Sequence, residues 1–144
     1  YGLVGSEMCI RDRYNVAGFK LSENIGKLME NIVAIELFRR KSYFDNEMEI
    51  YFYSDYNKRE IDFIIKKGNK IDRLIQVTYA SSFNDIRDRE WKNLLLVYDY
   101  LKKYNQNPEL IIITWDYEDE KEIFWFNKKG KIKFIPLYKW LLNI

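Results

Sequence analysis

The chain has 144 residues, 24 of them Lys or Arg and 22 Asp or Glu, for a formal net charge of +2. That length suits one domain able to bury a single core without staples, and 47% hydrophobic with 32% charged residues excludes a disordered, collagen-like or low-complexity chain. No stretch approaches about 18 uncharged apolar residues, which excludes a membrane-spanning helix, and the lack of any histidine removes Ser-His-Asp and Cys-His catalysis, histidine-ligated zinc and a histidine pH switch.

Residues 1–13 fit no element: they show no sustained period of 2 or 3.6, no helix cap and no charge block. They lack the basic start and apolar stretch of a signal peptide. The run from Val4 to Arg13 resembles a translated sequencing adapter, so the segment is read as extraneous to the domain. Its Cys9 is the chain's one cysteine, which leaves no internal disulfide and points to a reducing, cytoplasmic setting.

From residue 14 the pattern is that of a single domain. Ser22 is a candidate N-cap for a helix over about 23–40, with Ile25, Leu28, Met29, Ile32, Val33 and Ile35 forming a broad apolar face. Glu30 lies at the margin of that face, and Arg39, Arg40 and Lys41 close the helix where its dipole favours cations. Three strands follow, over Glu49–Ser54, Glu60–Lys66 and Lys70–Tyr79, separated by a polar turn and by Gly68-Asn69. Trp91, Leu94, Leu95, Tyr98 and Leu101 recur at helical spacing and predict a second helix over about 85–104, with Asn84 as its cap. Leu110–Trp115 reads as a buried strand and the acidic residues 116–120 as a turn. A hairpin is predicted from Ile123–Phe126 and Lys131–Phe134 across residues 127–130, and Pro136 opens a last helix over Leu137–Leu142. The order is α-β-β-β-α-β plus a hairpin and a terminal helix, which implies an α/β fold with helices around a central mixed sheet.

Polar residues inside the apolar strands carry the chemical interest. Alternation places Glu60 and Asp62 on one face of their strand and Gln76 and Thr78 on one face of the next. A carboxylate in a central strand costs several kcal/mol unless a metal, a cation or water compensates it. Glu30 on the first helix is a third oxygen donor within conceivable reach. Glu30, Asp62 and the Gln76 amide oxygen therefore form a candidate Mg²⁺ site, since that ion takes oxygen ligands, commonly a carboxylate or two with water.

Helix Glu30, strand Asp62 and Gln76-Val77-Thr78 fourteen residues later resemble the PD-(D/E)XK nuclease fold, whose core has the same α-β-β-β-α-β order. Gly26–Val33, Arg59–Phe63, Leu74–Val77 and Ile135–Leu142 are similar to an uncharacterised domain found C-terminal to the ATPase module of bacterial and archaeal AAA-type ATPases. The resemblance implies a restriction-endonuclease-like fold over residues 14–144 and an ATPase module upstream as partner, with Tyr14 a truncation point. ATP would then bind only through that missing module, because this chain has no Gly-x-x-x-x-Gly-Lys-Ser/Thr loop. One departure matters: where active nucleases carry Glu-x-Lys, this chain has Gln76-Val77-Thr78. The amide removes one negative charge from the metal site, and Thr78 supplies neither the lysine's charge nor its positioning of an attacking water. Arg87 and Arg89 are the cations nearest in the sequence pattern to take that part.

Each candidate also has an ordinary reading. Glu30 pairs with Lys27 on the helix surface; Asp62 makes a structural ion pair with Arg59, Lys66 or Arg73. The lysines at 66, 67, 128, 129, 131 and 133 solvate turns, and Trp140 packs in the core. Three functions compete: a catalytically degenerate accessory domain that binds nucleic acid or a protein partner, an active Mg²⁺-dependent DNA phosphodiesterase, and a structural domain that sets the ATPase's assembly. Near-neutral charge gives no overall drive toward DNA.

Overall fold

The computed structural model describes residues 25–142 and the two-residue strand β1, Leu3–Val4. The elements are α1 (Ile25–Phe44), β2 (Met48–Ser54), β3 (Glu60–Lys67), β4 (Lys70–Val77), α2 (Asp88–Lys102), β5 (Glu109–Thr114), β6 (Asp119–Trp125), β7 (Lys128–Pro136) and α3 (Leu137–Leu142). They form one mixed sheet in the order β1-β2-β3-β4-β5-β7-β6. Pairs β2–β3, β3–β4 and β6–β7 are antiparallel, while β4–β5 and β5–β7 run parallel. Among the described residues no helix is long and apolar enough to cross a membrane.

Strand alternation divides the core. Phe63, Ile65, Ile75, Val77, Ile111 and Ile113 face α1 and α3, meeting Met29, Val33, Leu37 and Trp140. Ile64, Leu74, Leu110, Ile112, Ile132 and Phe134 face α2, meeting Leu94, Leu95 and Val97. Trp140 packs as expected, only 5% exposed. A sheet buried on both faces requires near-continuous apolar runs in its central strands, which Ile61–Ile65 and Leu110–Ile113 supply except at Asp62.

Several boundaries differ from the sequence pattern. Ser22 lies outside the described residues, and α1 runs past the basic cluster to Phe44. The helix expected at 85–104 begins at Asp88. Asn84 does not cap it but sits in a 3-10 turn over Phe83–Asp85, and extended Arg87 is the N-cap, with no side-chain cap bond. β4 ends at Val77, two residues before Tyr79. The acidic segment is only partly a turn, because Asp119 and Glu120 pair with Phe134 and Lys133 in β6. The hairpin turns on Phe126-Asn127, with Trp125 opposite Lys128 and Phe126 at φ 55°, a tighter connection than the four residues expected. The N-terminal segment contributes β1, paired antiparallel with Phe52 and Tyr53, although its sequence suggested no element. Backbone pairing at an open edge asks little of the sequence.

Candidate functional site

The β3–β4 ladder stops at Phe63–Ile75. Beyond it the side chain of Gln76 takes over the work of a paired backbone. Its Oε1 accepts from the Asp62 N–H at 2.9 Å, and its Nε2 donates to the Glu60 carbonyl at 2.9 Å and the Glu90 carbonyl at 3.3 Å. Asp62 reciprocates: its Oδ2 accepts from the Val77 N–H at 2.8 Å. Asn93 Nδ2, from α2, adds a second donor to the Glu60 carbonyl at 3.3 Å. An amide is the one uncharged side chain with both an acceptor and two donors, so it can stand in for a peptide group between parting strands. Gln76 is 1% exposed, and its donors and acceptor are all engaged.

Beside the parting strands, between the N-terminal ends of α1 and α2, lies a cleft of about 670 Å³. Glu30, Glu60, Asp62, Gln76, Thr78, Arg87 and Arg89 all line it, joined by Lys27, Lys58, Asp85, Glu90 and Asn93. Glu30 is buried rather than marginal, at 7% exposure; Arg87, Arg89, Glu60 and Lys58 are exposed on the rim. Among the described residues the cleft therefore gathers five carboxylates and four cations. Arg59 and Arg73, two cations considered for Asp62, hold Asp55 at 2.8 Å and Asp72 at 3.1 Å. Lys131 and Lys133 are engaged by Glu120 and Glu109 rather than left as a bare basic track.

Glu90 and Asn93 are site residues that the sequence pattern did not single out. Burial pushes the Glu90 carboxyl above its ordinary value, Arg89 and Arg87 pull it down, and Glu30 and Glu60 push it further up. Glu90 falls in the polar first turn of α2 and Asn93 between Trp91 and Leu94, where a helical wheel shows only a helix margin. The available signal was one turn of spacing: both lie on the stretch that begins with Arg87 and Arg89.

Magnesium is the group implied by the nuclease resemblance, and the donor set does not fit it. Among the described residues no three carboxylates or other His/Cys ligands stand close enough to hold a metal. Gln76 Oε1 is aimed at a backbone N–H, and Asp62 Oδ2 at another. An octahedral oxygen shell needs lone pairs directed at one point, whereas one lone pair on each of these two oxygens is already engaged by the sheet backbone.

The domain of unknown function DUF4143 matches residues 25–139. The chain belongs to the DUF4143 family. It is also 36% identical over 122 residues to the uncharacterized protein MJ1544 of Methanocaldococcus jannaschii, a match covering 85% of this chain and 26% of that protein. The chain thus spans about a quarter of the relative's length. The DUF4143 match begins with α1 and ends within α3, so it takes in every residue lining the cleft.

Proposed function

We propose that this DUF4143 chain is a nuclease-like accessory domain of a cytoplasmic AAA-type ATPase, catalytically degenerate, whose cleft binds nucleic acid or a partner rather than cleaving DNA. The observation that carries this reading is the Gln76 clamp. Residue 76 stands where the resemblance places a metal-binding glutamate, and its amide is spent joining Asp62, Glu60 and Glu90. A glutamate there has no N–H to give to either carbonyl. Thr78 brings no charge to the position of the nuclease lysine. Among the described residues that line the cleft, five carboxylates against four cations leave little field for drawing a phosphodiester into reach of an attacking water.

An active Mg²⁺-dependent phosphodiesterase is the second reading. It draws on the mutual influence of Glu30, Glu60 and Glu90 and on the nearness of Arg87 and Arg89 to Glu90. Incubating the chain and an Asp62→Ala variant with single- and double-stranded DNA in Mg²⁺ or Mn²⁺ separates the two. The binding reading expects no cleavage by either protein; metal-dependent cleavage by the chain, lost in the variant, would establish the second.

A further inference from the structure

The cleft takes Glu90 and Asn93 from the start of α2. A separate groove of about 310 Å³ runs beside the second half of that helix, shared with the end of β2 and the start of β7. Its cations are Arg59, Lys103 and Lys128, and among the described residues its one carboxylate is Asp99. Arg59 is held by Asp55 at 2.8 Å. Lys103 and Lys128 make no ion pair among the described residues, although Lys128 meets the Asn127 amide oxygen at 3.4 Å. Farther along β7 the pattern reverses, since Lys131 and Lys133 are matched by Glu120 and Glu109.

Aromatic rings border the groove from two elements. On α2, Tyr100 lines it, is 56% exposed and packs at 5.3 Å against Tyr104, itself exposed. On the β6–β7 hairpin, Lys128 Nζ stands 6.0 Å from the Trp125 ring centroid, and Phe126, 87% exposed, packs against Trp125 at 5.2 Å. Lys129 repeats the arrangement over exposed Phe124 at 6.0 Å, again with no ion pair among the described residues. Singly exposed rings are ordinary, but a contiguous set interleaved with unmatched cations marks an interaction surface.

We propose that this groove and the adjoining hairpin tip bind single-stranded nucleic acid, with Lys103 and Lys128 holding phosphates while Tyr100 and Phe126 stack on bases. Charge and shape select that partner. Unmatched cations lining a concavity complement a polyanionic chain, and exposed ring faces require unpaired bases, which a duplex keeps stacked on one another. An anionic bilayer attracts the same residue types at a protruding tip, yet it cannot follow the cations into a groove between α2 and β7. Stacking and phosphate contacts read no base edge, so the binding is tolerant of sequence. This surface stands apart from the cleft, where carboxylates offset the cations.

Fluorescence anisotropy of the whole chain with a labelled oligothymidylate or oligouridylate of about 15 nucleotides tests it, beside a duplex of equal length and phosphatidylserine vesicles. The single strands should bind more tightly than the duplex or the vesicles. Lys103→Gln combined with Lys128→Gln should weaken binding about tenfold. It should also lower the slope of log affinity against log salt by about 1.4, at roughly 0.7 per phosphate contact. Phe126→Gly relieves a backbone φ of 55° and so spares the fold; it should weaken binding about tenfold and leave the salt slope unchanged. Absence of single-strand binding, or tighter binding of the duplex or the vesicles, would overturn the proposal. So would binding that these variants leave intact; if Arg87→Gln with Arg89→Gln then abolishes it, the nucleic acid lies in the cleft.

Discussion

At Gln76 folding and chemistry compete for a single side chain. The amide is buried, and each of its polar atoms serves the sheet where β3 and β4 part. Gln76→Glu keeps the length but removes both donors and sets a carboxylate against the Glu60 and Glu90 carbonyls. Loss of at least about 1–3 kcal/mol in a urea melt at pH 7 is expected, as for a buried group deprived of its partner. Glu90 makes the converse case. Its carboxyl is pushed up first by burial, and Glu30 and Glu60 add to the effect. A raised carboxyl favours the fold below its unfolded pKa and costs stability as the pH climbs through the folded value. Glu90→Gln should therefore melt higher than the parent at pH 7, with the gap closing in acid; a lower melt at pH 7 would contradict the assignment. Asp62 and Gln76 were legible in the sequence because a polar residue breaks an apolar strand visibly. Glu90 and Asn93 were not, because the exposed and core faces of an amphipathic helix meet in just such residues.

Among the elements, central strands and helices were the legible part. Leu110–Ile113 has no reading but a buried strand, and the Leu94-Leu95-Tyr98-Leu101 spacing has none but a helix. Junctions were harder, since they are decided by tertiary hydrogen bonds. Asn84 has the composition of a cap, yet the chain there turns tightly, with the Ser81 N–H bonded to the Asp85 carboxylate and the Ile86 N–H to the Phe83 carbonyl. The last hairpin shows the same limit. Its two-residue loop places Phe126 at φ 55°, a region that normally asks for glycine, so composition pointed the turn at Gly130. Gly130 is instead a buried β7 residue, where an added Cβ would come within 2.8 Å of Leu95 Cδ2. Relieving the turn is a direct check: Phe126→Gly should stabilise the chain by about 1 kcal/mol in thermal or urea unfolding.

Across the whole molecule, the sheet separates two cores, and α1 is tied to the far end of the chain. Arg40 donates to the Trp140 carbonyl and lies 4.2 Å from the Trp140 ring centroid, while Glu36 holds Arg39 and Arg40 in place. Arg39, and then Arg40, bring the Glu36 carboxyl down from 4.5 to about 2, against the opposing effect of burial. A depressed carboxyl contributes stability above its unfolded pKa and loses it as the pH falls through the folded one. Glu36→Gln should accordingly flatten the decline of stability between pH 4.5 and about 2. The cleft opens where β3 leaves β4 and the two helix starts converge, so it sits beside the strands that the Gln76 clamp joins. Calorimetric titration of the chain with Mn²⁺, beside Asp62→Ala, tests that account most directly. It predicts no saturable binding to either protein; a saturable site in the chain that Asp62→Ala abolishes would contradict it.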